Sequence, residues 1–166
     1  VSADLPLHAT LTGPGDILSW ALNNTSLPSG ISFGTSNGTF YGTPTELWPT
    51  AAYMVWANNS GGSSVAYLNL TVVDQLPTLS YSLTALNLTN NTVSADLPLN
   101  ATLTGPGDIL SWAINASLPS GLTFETSNGT IWGTPTELWT TTAYTVYANN
   151  SGGSSVAYLN LTVVDQ

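Results

Sequence analysis

The nineteen residues ANNSGGSSVAYLNLTVVDQ at 57–75 recur without a change at 148–166. VSADLPLHATLTGPGDILSWAL at 1–22 returns as VSADLPLNATLTGPGDILSWAI at 93–114, and GTPTELW at 42–48 returns at 133–139. Residues 1–75 align to 93–166 with one deletion near Asn23 and Asn24 and twelve substitutions. The period is 92 residues before the deletion and 91 after it. That is the size of a domain and too long for a stacked solenoid unit of roughly 20–50 residues. The chain is therefore two copies of one fold, 1–75 and 76–166.

Within the complete period, 76–166, apolar residues alternate with polar ones and turn signals interrupt them every ~8–12 residues, the pattern of short antiparallel strands. Seven strands are expected. LSYSLTALNLT (79–89) comes first, and its apolar parity slips near Thr84 and Ala85, which points to a bulge or a switch between sheets. DLPLNATLTG (96–105) aims Leu97, Leu99, Ala101 and Leu103 one way, and DILSWAI (108–114) follows. LTFET and GTIWG flank SNG, whose Asn-Gly pair supplies the positive φ of a tight hairpin. TAYTVYA (142–148) and SVAYLNLTVV (155–164) close the set across NNSGGS. No helical period appears. An all-β chain of two tandem immunoglobulin-like sandwiches of about seven strands each is the architecture this pattern predicts.

Composition excludes several functions. Lys and Arg are absent, nine acids set the net charge at −9, and only 5% of residues are charged, against about 25% in ordinary soluble domains. Without cations the chain has nothing to neutralise phosphates, which excludes nucleic acid and anionic headgroups as direct partners. No apolar run of 18 residues exists, so no direct membrane insertion is expected in this segment. Any signal peptide or anchor is expected outside it. The absence of Cys removes disulfides and thiolate metal sites.

A chain that is 42% apolar and rich in strands needs another source of hydration. Twelve of its fifteen asparagines open Asn-x-Ser/Thr triplets: Asn23, Asn24, Asn37, Asn58, Asn69, Asn87, Asn90, Asn100, Asn115, Asn128, Asn149 and Asn160. N-linked glycans at these positions would supply the water-binding surface that Lys and Glu normally give. A composition rich in Thr, Asn and Ser also generates such triplets by accident, but strand parity sets these asparagines outward. Asn160 alternates with Leu159 and Leu161, Asn100 faces away from the leucines of its strand, and Asn87 lies between Leu86 and Leu88. With no Lys or Arg, the chain offers trypsin nothing to cut.

LPSGLTFETSNGTIWGTPTE (118–137), followed by AYTVYANNSGGSSVAYLNLTVV (143–164), resembles the "putative Ig" repeats related to the cadherin-like dystroglycan type. LPSGISFGTSNGTFYGTPTE (27–46) matches equally, departing conservatively at Ile31 and Phe40. The resemblance covers nearly the whole chain. It implies an immunoglobulin-like fold, strung in tandem in large prokaryotic surface proteins, with an extracellular scaffold role and no catalysis. Near-identical copies that are rich in Asn and poor in Lys look most like those of archaeal cell-surface proteins.

The residues themselves give little chemistry. His8, the single imidazole, is replaced by Asn100 in the second copy, so no duplicated base exists. The recurring acids are Asp4/Asp96, Asp16/Asp108, Glu46/Glu137 and Asp74/Asp165, and they sit at turns, where carboxylates commonly cap. Asp74, in VVDQLP at the junction, is the one candidate Ca²⁺ ligand. It stands alone, whereas Ca²⁺ takes about six to eight oxygens. Among the aromatics, Trp20/Trp112, in phase with Leu110 and Ile114, and Tyr53/Tyr144 are expected in the core. Trp56/Tyr147 and Tyr67/Tyr158 are expected outward on neighbouring strands, and Tyr41/Trp132 outward on the other sheet. Exposed rings are common, but these six also make a candidate interface or carbohydrate platform.

Two functions follow as expectations. The first is a structural, N-glycosylated segment of an extracellular filament, stalk or surface coat. The second is an adhesin module that binds carbohydrate or protein through the outward rings. The first copy has no counterpart of 76–92, which holds the first strand. That place is expected to be filled, either by similar chain upstream of Val1 or by strand complementation from an identical subunit, joined head to tail in a fibre.

Overall fold

The computed structural model describes residues 5–166. They contain strands, turns and no helix, and the chain divides into two compact units, Val1–Val73 and Asp74–Gln166. Unit 1 holds β1 (Ser19–Leu22), β2 (Ile31–Gly34), β3 (Thr39–Gly42), β4 (Trp48–Asn59) and β5 (Gly62–Val72). β4 lies between β1 and β5 in an antiparallel sheet, and β2 pairs with β3 as a hairpin. Leu7 joins this hairpin through a two-way exchange of 3.0 Å hydrogen bonds with Phe40.

Unit 2 holds β6 (Thr78–Tyr81), β7 (Ala85–Thr89), β8 (Ala101–Thr104), β9 (Ser111–Ile114), β10 (Leu122–Phe124), β11 (Ile131–Gly133), β12 (Trp139–Asn150) and β13 (Gly153–Val164). One layer is the sheet β7-β13-β12-β9, in which β7 runs parallel to β13. The other layer is the β6-β8 pair and the β10-β11 hairpin, tied together by the Leu99–Ile131 bridge. Each unit is thus an immunoglobulin-like arrangement of mainly antiparallel strands, and the chain is all-β.

The slip of parity at Thr84 and Ala85 has its cause here. The strand expected over 79–89 is two, β6 in one layer and β7 in the other, separated by residues 82–84. Leu79 and Tyr81 face the core from one side, Leu86 and Leu88 from the other, so their phases cannot match. Unit 2 consequently has eight strands. β12 starts at Trp139, earlier than alternation alone predicts, because a register shift between Trp139 and Thr142 breaks the period.

The core of unit 2 packs Leu86, Leu88, Leu99, Ile131, Tyr144, Val146, Leu159, Leu161 and Val163, none more than 3% exposed. Each such side chain contributes about 1.5–3 kcal/mol by leaving water. Two expectations fail. Leu110 is 75% exposed instead of sharing the core face with Trp112, because β9 begins only at Ser111 and the neighbouring Ile109 packs in its stead. Leu103 is 38% exposed, since it lies near the outer end of the short β8 while Leu99 takes the buried position. Unit 1 closes over a smaller core, with Ile31, Phe40, Tyr53, Val55 and Ala57 buried. Phe40 stacks tilted on Phe33 at 4.9 Å and meets Tyr53 edge-on at 6.4 Å.

Candidate glycosylation and interaction surfaces

The triplet asparagines fall where strands end or face solvent. Asn23, Asn24, Asn37, Asn69, Asn87, Asn100, Asn115, Asn128 and Asn160 are exposed, and Asn58, Asn90 and Asn149 are half-buried. Several already use the side-chain oxygen to finish a turn. Asn37 Oδ1 accepts the N–H of Thr39 at 3.2 Å, and Asn128 Oδ1 that of Thr130 at 3.0 Å. Asn23 Oδ1 accepts from Met54 N at 2.8 Å and Asn115 Oδ1 from Thr145 N at 2.9 Å. Asn24 Oδ1 takes the N–H of Ser26 at 2.9 Å, and Asn100 Oδ1 takes the hydroxyl of Thr130 at 3.2 Å. Asn58 and Asn149 are the most engaged, each holding a Ser hydroxyl through Oδ1 and donating Nδ2 at 3.3 Å to a second Ser. Asn90 Oδ1 is buried without a partner.

The six candidate interface rings separate into two groups. Tyr67 and Tyr158 are 77% and 69% exposed, while Tyr41 and Trp132 are about half exposed on the hairpins of the opposite layer. Trp56 and Tyr147 point outward but are half-buried. They occupy the central strands β4 and β12, where Trp56 lies between Ala21 and Val65, and Tyr147 between Ala113 and Val156. Tyr67 pairs with Met54 and Tyr158 with Thr145, which makes each a diagonal neighbour of the half-buried ring. Each unit thus sets two rings side by side on one sheet face and keeps the third ring elsewhere.

Of the expected core aromatics, Tyr53 and Tyr144 are fully buried and donate their hydroxyls to the carbonyls of Ser26 (2.7 Å) and Ser117 (3.1 Å). Burial raises the Tyr144 phenol above its ordinary range. Trp20 and Trp112 are half-buried against the cores.

The acids serve turns. The backbone N–H of Ser29 donates to Glu46 Oε1 and that of Ser120 to Glu137 Oε1, both at 2.7 Å. The Ser29 N–H holds the Glu46 carboxyl below the usual carboxylate range. Asp16, Asp96 and Asp108 are exposed, and Asp4 lies outside the described residues. His8 bonds through Nδ1 to Thr39 Oγ1 at 3.2 Å. Asp74 gives Oδ1 to the N–H of Gln75 (3.0 Å) and Oδ2 to the N–H of Asp108 (3.1 Å). Both carboxylate oxygens thus answer to backbone, and among the described residues no three of His, Cys, Asp or Glu gather as a metal-holding group. The donors in place do not fit the coordination that Ca²⁺ demands.

Sequence reasoning missed how Asp74 and Gln75 are seated. Asp74 N–H donates to Ser151 Oγ at 2.9 Å, Asn150 Nδ2 donates to the Gln75 carbonyl at 2.6 Å, and Ser155 Oγ donates to the Pro77 carbonyl at 2.5 Å. The signal that pointed there was the verbatim return of GPGD and NNSGG, which supply the loops of this seat.

Two strand layers closed over an apolar core, given twice, define a tandem immunoglobulin-like module. The chain belongs to the family described as "Putative Ig domain", which matches residues 1–73 and 76–164. It is also similar to the "Serine-rich adhesin for platelets" of Staphylococcus aureus. Identity to the protein of strain MRSA252 is 31% over 133 residues, covering 79% of this chain and 10% of that protein. The same identity over the same length covers 6% of the protein of strain USA300. The chain therefore spans a tenth or less of these relatives. Similar solved structures include the extracellular domains 3–5 of Drosophila OTK, with 19% identity, a TM-score of 0.44, and coverage of 87% of this chain and 50% of that one. A chimeric titin Z1Z2 tandem has 17% identity, a TM-score of 0.41, and coverage of 88% and 83%.

Proposed function

We propose that this chain is a non-catalytic, N-glycosylated tandem segment of an extracellular filament, stalk or surface coat. The observation that carries the reading is the coincidence of two extremes. The chain has no Lys or Arg, and nine of its twelve triplet asparagines are exposed. Sugar at those positions would hydrate a surface that charge does not. The likeness to a region of a bacterial surface adhesin supports a cell-surface location. The Asn-rich, Lys-free composition is what we associate with an archaeal source.

Mass spectrometry of the protein from its native source tests the reading. Glycopeptides are expected at most of the twelve asparagines, with Asn37, Asn69, Asn128 and Asn160 among them. Unmodified peptides covering all twelve asparagines would sink it.

A second reading, an adhesin module, is favoured by the exposure of Tyr67 and Tyr158 beside Trp56 and Tyr147. A glycan array separates the two readings. Selective binding that Tyr67→Ala and Tyr158→Ala abolish supports the adhesin, and an array without binding supports the scaffold.

A further inference from the structure

The outward rings and the triplet asparagines are coupled along the chain. Trp56, Tyr67, Tyr147 and Tyr158 each stand two residues before a triplet asparagine, namely Asn58, Asn69, Asn149 and Asn160. Every pair lies within one strand, in β4, β5, β12 and β13 respectively. Residues i and i+2 of a strand share a face and are about 6.4–6.8 Å apart. Each of these asparagines therefore has an aromatic ring beside it on the same side of the sheet.

The four pairs are not equivalent. Asn149 is half-buried, accepts from Ser154 through Oδ1 and donates Nδ2 to Ser111. Asn58 does the same with Ser63 and Ser19. Asn160 is exposed, and its neighbours leave room above it. Across the sheet it faces alanines on both sides, Ala143 of β12 and Ala85 of β7, and both are exposed. Along the strand, Tyr158 stands on one side and Thr162 on the other, where the hydroxyls of Thr162 and Thr141 bond at 2.8 Å. Asn160 thus rises from a low floor of two methyl groups with a phenol ring as its wall. That ring is 69% exposed and lies opposite Thr145, while β7 begins only at Ala85, level with Asn160. In unit 1, Asn69 follows Tyr67 and faces Ala52 of β4, and Thr71 bonds to Thr50 at 2.8 Å.

We propose that Tyr158 is the platform on which the first pyranose of a glycan carried by Asn160 stacks, with Tyr67 in the same role for Asn69. The inference rests on the glycosylation reading and names the side chain that holds the sugar. Covalent attachment fixes the occupant. A sugar joined through its anomeric carbon to Asn160 Nδ2 meets the ring as an intramolecular neighbour, so weak contact suffices. A pyranose turns polarised C–H bonds to one face, and an aromatic ring is negative on its face. The two attract and shed water together. The alanine floor lets the sugar lie against the sheet, while the hydroxyls on its rim stay hydrated. A phenol covered in this way is closed to carbohydrate from outside, which gives the exposed tyrosines a role within a scaffold.

The test uses the full chain with one sugar. The chain has no Cys, so residues 1–147 can be ligated to a synthetic peptide of 148–166 carrying Ala148→Cys, which desulfurisation returns to Ala. The peptide bears a single N-acetylglucosamine on Asn160 or none, in the parent, Tyr158→Phe and Tyr158→Ala backgrounds. Nuclear Overhauser contacts are expected between the sugar ring protons and the Tyr158 ring in the parent. Ring current should move those protons upfield relative to Tyr158→Ala. The sugar should raise the urea midpoint in the parent and in Tyr158→Phe, and the gain should vanish in Tyr158→Ala. The proposal is overturned if the parent shows no sugar-to-ring contacts, or if the sugar stabilises Tyr158→Ala as much as the parent. Glycopeptides from the native source decide the glycosylation reading separately, since the ligated chain carries its sugar whatever they show.

Discussion

A Cβ built on Gly129 would fall 2.4 Å from Cε3 of Trp112, and the Gly129 carbonyl accepts the Tyr81 hydroxyl at 2.5 Å. One glycine in the β10–β11 turn therefore carries the indole of β9 on its α-carbon and the phenol of β6 on its oxygen. The same relation holds between Gly38 and Trp20 in unit 1, again at 2.4 Å. Gly129 has φ of +73°, so Gly129→Ala meets backbone strain and ring overlap together. Unit 2 should lose about 2–4 kcal/mol. Urea unfolding followed by tryptophan fluorescence measures this.

Leu70 and Leu161 lie at matching places in β5 and β13, yet Leu161 is fully buried and Leu70 half-buried. Leu161→Ala should cost about 2–5 kcal/mol, as for other buried leucines. Leu70→Ala should cost no more than about half as much, because the truncated side chain already touches water. Calorimetric scans of the two variants, each compared with the parent, decide whether this asymmetry exists in solution.

Tyr144→Phe removes the hydroxyl that reaches the Ser117 carbonyl and leaves the ring in place. The expected loss is about 0.5–1.5 kcal/mol, the net worth of one hydrogen bond whose acceptor turns to water. Tyr53→Phe should behave alike through Ser26. Equilibrium denaturation of both variants checks the pair.

Burial pushes the Tyr81 phenol up to about 12, against about 10 in an unfolded chain. Below pH ~10 both states keep the proton, and the contribution of Tyr81 is complete. As pH rises from about 10 to 12, the unfolded chain releases its proton while the folded one holds it, so the stability of unit 2 falls. Unfolding midpoints collected across that range should decline for the parent, and Tyr81→Phe should remove part of the decline.

Much of this architecture is legible in the sequence because short-range rules set it. Alternation marked β12 and β13, Asn-Gly marked the hairpin turns, and the apolar parity of 79–89 announced a change of layer. Leu110 was misread because alternation carries no sign of where pairing begins, and Ser111 is where β9 meets Asn149. Trp56 and Tyr147 were read as outward, which they are, but parity cannot say how closely Val65 or Val156 crowds a ring. The seat of Asp74 and Gln75 was out of reach because its partners stand more than thirty residues away along the chain.

The sequence by itself determined that one all-β fold is repeated, which face of each strand is apolar, and that the Asn-x-Ser/Thr triplets fall at turns or between inward-facing strand residues. Tertiary structure alone decided how far each apolar face is covered. Gly62–Val72 and the identical residues 153–163 make the same hairpin and present the same alternation. Only the second stretch becomes a core strand, because β7 pairs along its edge and β6, in the opposite layer, packs over it. Local sequence sets the direction of a side chain, but burial depends on neighbours that arrive from elsewhere in the chain.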